Sequence, residues 1–122
     1  MLKAILNNKI YRLYIADNFI KRAFGLIFKD IEDDEGLIFY YNKRKLHIHT
    51  FFMRYPIDVV FLYDNKVVDV VKDLKPWKTY KSKVYSNAMI EIKSCNLRLN
   101  IGDIVNIEKD ISSSKNKFPK NK

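Results

Sequence analysis

The chain reads His47-Ile-His49-Thr-Phe-Phe-Met-Arg54-Tyr-Pro-Ile-Asp58 at its centre, two imidazoles, a guanidinium and a carboxylate set in an otherwise apolar stretch. Polar groups among buried strands must be paired or put to use, so this is where a site is expected. His47 and His49, at i and i+2, project from one face of a strand. Two such imidazoles can begin a metal site, but further ligands are needed and no third histidine exists. No metal is therefore assigned. An imidazole bonded to backbone or carboxylate is the plainer reading, with ligand binding or acid–base chemistry behind it. Asp58, between Ile57 and Val59, needs a partner if buried. Arg22 and Arg54 are the candidates, and Arg22 with Asp58 reads as a structural ion pair. Trp77, the only tryptophan, lies in Lys75-Pro-Trp-Lys78, where it would cover one end of the β structure or stack on a base or sugar ring.

His49, Phe52, Arg54, Asp58 and Trp77 are thus the expected ligand-binding set, gathered in a pocket at one end of the β structure. The leading expectation is a small-ligand-binding module. The alternative is a basic β-barrel associated with nucleic acid, using Lys75, Lys78, Lys81, Lys83, Trp77 and the tail. A His49/Asp58 acid–base enzyme is the third reading; no nucleophile or cofactor motif accompanies the pair, so no catalytic residue and no cofactor are assigned. Phosphate loops, nucleophile elbows, Cys-x-x-Cys and His-Glu-x-x-His are all missing. The single cysteine, Cys95, cannot pair within the chain and fits a reducing compartment.

The elements that must position these residues are mostly strands. Leu2 to Leu6 and Lys9 to Ala16 flank Asn7-Asn8, a two-residue hairpin loop. Asp17 reads as the N-cap of a short amphipathic helix carrying Phe19, Ile20, Ala23, Phe24 and Ile27. Glu32 to Glu35 reads as a solvated acidic loop. Further strands are expected over 37–41, 46–53, 57–63, 67–71, 88–92 and 104–107, with Asp64-Asn65 as a tight turn. The pattern is mainly β: a compact antiparallel barrel or sandwich with one or two short helices. Residues 1–111 form one domain, and 112–122 a basic tail without fixed structure.

Net charge is +9, with 18 Lys against 5 Arg, a ratio that fits compositional bias better than selected phosphate recognition. No signal segment and no run of about 20 apolar residues is present, so a cytoplasmic protein is expected.

The chain also resembles the domain-of-unknown-function-192 family of small prokaryotic proteins over roughly residues 9–108. Arg22-Ala-Phe-Gly25-Leu26-Ile27 is similar to that family's Arg-x-x-Gly-Leu-Met motif. Gly36-Leu-Ile-Phe39 is similar to its Gly-Met-Leu-Phe strand, and His49 to Leu62 to its Phe-Trp-Met, Pro-Leu-Asp and Phe block, in an archaeal form. Asp73-Leu-Lys-Pro76-Trp77 and Ile101-Gly102-Asp103 resemble later blocks. The resemblance implies a β-rich fold with short helices and carries no biochemical activity with it. Ile27 and Phe52 stand where the family commonly has Met and Trp.

Overall fold

Asn7 and Asn8 both adopt left-handed backbone (φ 55 and 60). That conformation makes the tight turn between β1 (Leu2–Leu6) and β2 (Lys9–Ile15), as asparagine pairs permit. Asp64 and Asn65 (φ 48 and 66) do the same between β5 (Ile57–Tyr63) and β6 (Lys66–Leu74). The computed structural model describes residues 1–16 and 31–109. The remaining strands are β3 (Glu35–Arg44), β4 (His47–His49), β7 (Thr79–Lys81), β8 (Ser86–Lys93) and β9 (Ile107–Lys109).

Seven strands form one sheet in the order β6-β5-β8-β3-β2-β1-β9, and β4 pairs with β7 as a separate two-stranded ribbon. All pairings are antiparallel except β2 with β3, which run parallel. Parallel pairing means that the chain leaves β2 at one end of the sheet and enters β3 at the other, so a purely antiparallel sheet is replaced by a mixed one. The closed barrel expected from the sequence is also corrected: β6 and β9 remain the two edges. A short segment bridges β6 and β1 without closing the sheet. Val67 N donates to Asp103 O (2.8 Å), Val105 N to Asn65 O (2.8 Å) and Ile5 N to Asn106 O (3.4 Å). Among the described residues there is no helix; the expected helix from Asp17 lies outside them.

Both faces of the sheet are apolar. One buries Leu6, Tyr11, Leu13, Ile38, Val60, Leu62, Ile90 and Ile92, joined by Leu97 and Val105. The other buries Leu37, Phe39, Val59, Phe61 and Met89 with Ala16, Ile31 and Met53. Double-sided cover explains why β5 reads Ile-Asp-Val-Val-Phe-Leu, without the polar alternation of a half-exposed strand. Gly36 lets β3 and β8 approach closely, because a Cβ there would stand 2.6 Å from Glu91 O and 2.7 Å from Ile92 Cγ2.

Candidate functional site

The strand expected over 46–53 stops at His49, and its last residues turn outward instead. Thr50 is the reason. It is fully buried, and its backbone carbonyl accepts from Met53 N (3.1 Å) and Trp77 N (2.9 Å). Its Oγ1 accepts from Lys78 N (2.9 Å) and donates to Lys75 O (2.5 Å), while Thr50 N donates to Lys78 O (2.8 Å). One residue therefore fastens two turns, 50–53 through its backbone carbonyl and 75–78 through its backbone and its side chain. Each has a left-handed residue at its third position, Phe52 (φ 66) and Trp77 (φ 65). Pro76 pre-sets the second position of the latter turn. Bulky aromatics rarely occupy left-handed backbone.

The result is an aromatic platform. His49 stacks on Phe51 with centroids 4.7 Å apart, Phe51 N donates to His49 Nδ1 (3.3 Å), and Phe51 faces Trp77 at 5.8 Å. Phe52 lies 4.6 Å from Trp77. Phe52 and Trp77 are 60% and 59% exposed, so they stand on the surface rather than line a cavity.

The ribbon extends this platform. His47 pairs with Lys81 and His49 with Thr79, and all four are exposed on its outer side. Ile48 and Tyr80 turn inward against the core, with Tyr80 6.0 Å from Phe61. Asp69 on β6 ties the ribbon down, accepting from Tyr80 Oη (2.6 Å) and Ser82 Oγ (3.0 Å). Burial, with this bond behind it, pushes the Tyr80 phenol up to about 12, so it stays protonated. Lys75 Nζ is bound to Asp73 (2.6 Å) and holds that carboxyl below its ordinary range. Among the described residues no carboxylate pairs with Lys78, Lys81 or Lys83.

The five-residue pocket expected from the sequence is not assembled. His49, Phe52 and Trp77 meet, and exposed Arg54 follows the first turn. Asp58 goes elsewhere. It is 1% exposed, and its carboxylate accepts from Asp73 N (2.7 Å) and Cys95 N (3.1 Å), joining the end of β6 to the chain after β8. Cys95 Sγ is 3.5 Å from the same carboxylate and accepts from Tyr11 Oη (3.3 Å); burial raises its pKa and keeps it an unreactive thiol. Arg22, the proposed partner of Asp58, lies outside the described residues. Among the described residues no three His, Cys, Asp or Glu side chains gather as a metal cluster would.

Three residues escaped the sequence reading. Thr50 carries no local signal, because its partners are 25 and 28 residues away. Glu35 belongs to the acidic stretch read as solvated, yet it is buried. It accepts from Tyr14 Oη (2.7 Å) and Glu32 N (2.8 Å), with Arg12 at 3.6 Å. Glu91 sits on the central strand β8 between Leu37 and Val59. No hydrogen bond or ion pair reaches it among the described residues, and burial pushes its carboxyl up to about 7. A charged residue in Ala88-Met-Ile-Glu-Ile was the available signal, by the same logic that singled out Asp58.

Fold and surface together define a small mixed-sheet β protein that presents an exposed aromatic and basic surface. The chain belongs to the DUF192 family, "Uncharacterized ACR", which matches residues 3–115. It is 46% identical over 81 residues to a UPF0127 protein of Pyrococcus horikoshii, covering 63% of this chain and 68% of that one. To a UPF0127 protein of Pyrococcus abyssi it is 41% identical over 83 residues, covering 66% and 69%. A crystal structure of a protein of unknown function from Novosphingobium aromaticivorans shares the fold, with TM-score 0.75 and 22% identity over 86% of this chain and 82% of that one.

Proposed function

We propose that the protein is a binding module for single-stranded nucleic acid, which lies along the outer side of the β4–β7 ribbon with bases stacked on the platform. The observation that carries this is the exposure of Phe52 and Trp77 on two turns that Thr50 bonds together. Exposed, immobilised aromatic faces suit bases, since every base offers a π face. Lys78 and Lys81, without carboxylate partners among the described residues, suit the backbone phosphates. An exposed platform favours an extended chain over the enclosed small ligand first expected.

Fluorescence anisotropy with a labelled 12-nucleotide oligo(U) tests this. Affinity should fall with salt at a log–log slope of about −2 to −3, as for three or four phosphates on a single strand. Trp77→Ala and Phe52→Ala should each weaken binding by about 1–3 kcal/mol. No binding in 20 mM salt, or unchanged affinity in both variants, would end the proposal.

A further inference from the structure

A second surface feature lies at the end of the sheet where the β5–β6 turn meets the far end of β3. Tyr63, Asp64, Lys66, Val68, Lys43 and Tyr85 line a groove of about 440 Å³. Two tyrosine rings converge on one point: Lys43 Nζ is 5.4 Å from the Tyr63 centroid and 5.1 Å from that of Tyr85. Lys45 Nζ approaches Tyr85 as well, at 5.1 Å. The β3 pairing with β8 slips between Tyr40 and Arg44, and the extra residues of this bulge include Lys43.

The charge here is not internally balanced. The one carboxylate, Asp64, is committed to Asn87: its Oδ1 accepts from Asn87 Nδ2 (2.8 Å), while Asp64 N donates to Asn87 Oδ1 (3.1 Å). Lys43, Lys45 and Lys66 have no carboxylate partner among the described residues. Aromatic walls select a planar ring, and the lysines select an anion attached to it. A neutral sugar would leave the lysines unused, and a bare phosphate would leave the rings unused. The volume suits one nucleotide unit.

We propose that this groove binds a free nucleoside monophosphate. The base enters beside Tyr63 and Tyr85 at the point now held by the Lys43 ammonium, which swings outward with Lys66 to the phosphate. The site is separate from the ribbon platform and does not depend on strand binding there.

Isothermal titration of the full chain with adenosine 5′-monophosphate, adenosine and inorganic phosphate provides the test. The monophosphate should bind with Kd below about 1 mM at low salt. Adenosine and phosphate should each bind about tenfold more weakly or not at all, since each engages half of the site. Tyr85→Ala and Lys43→Ala should each weaken the monophosphate about tenfold, and Tyr85→Phe should restore it. Tyr85 and Lys43 are exposed, and circular dichroism would verify that their variants fold. No heat at 5 mM nucleotide, unaltered affinity in both alanine variants, or a loss confined to Trp77→Ala would overturn the proposal.

Discussion

Glu91 shows how one residue can set the behaviour of a strand. It occupies a position on β8 flanked by Leu37 and Val59, where an ionised carboxylate loses hydration and gains no partner among the described residues. Its carboxyl is raised to about 7, above the value of about 4.3 in an unfolded chain. The folded state therefore holds this proton more tightly than the unfolded one. The corresponding stability is fully present below about pH 4.3 and is lost as pH rises toward 7. Glu91→Gln removes the titration while keeping the shape. The variant should be more stable than wild type at pH 8 by about 1–2 kcal/mol and should show a flatter dependence between pH 5 and 8. Thermal melts across that range give the comparison; parallel curves for the two proteins would refute the assignment.

The turns 50–53 and 75–78 act as one element because Thr50 belongs to both. Thr50→Val keeps the β-branched shape and strands Lys78 N and Lys75 O without their partner. A cost of about 2–3 kcal/mol is expected, with Thr50→Ser recovering most of it. Trp77 is the sole indole, so its emission anisotropy should fall in Thr50→Val as the turn loosens, and an unchanged anisotropy would show that another contact holds it. Elements governed by neighbouring residues were legible in the sequence. The Asn7-Asn8 and Asp64-Asn65 turns and the strand 57–63 are where turn chemistry and a β-branched apolar run place them. Elements governed by distant partners were not. The strand expected to reach Met53 ends early because Thr50 bonds across to Lys75 and Lys78. β7 went unread because Thr79–Lys81 is only three residues long and depends on β4. Asp58 stands out in the sequence as a carboxylate in an apolar run, but among the described residues it is met by two backbone amides and the Cys95 thiol, which no charge pattern announces.

For the whole molecule, the decisive arrangement is the open sheet whose edge strand β6 and next-to-edge strand β1 are both engaged by the residues between Gly102 and Asn106. Val105 also reaches the core formed by one face of the sheet. Removing the chain after Leu99 should expose two unpaired edges and open that core, giving a lower Tm and concentration-dependent aggregation. Sedimentation that stays monomeric at high concentration would contradict it. Overall topology was the least legible level, since the parallel β2–β3 pair and the bridging of the edges rest on contacts far apart in sequence. Among the described residues, six of the eight non-glycine residues with left-handed backbone are Asn or Asp, and the other two are Phe52 and Trp77. Under the proposed binding role, those two sites set heat tolerance against recognition. A laboratory lineage bred only for survival at high temperature should drift toward glycine or asparagine at both codons, and would emerge hardier and blind.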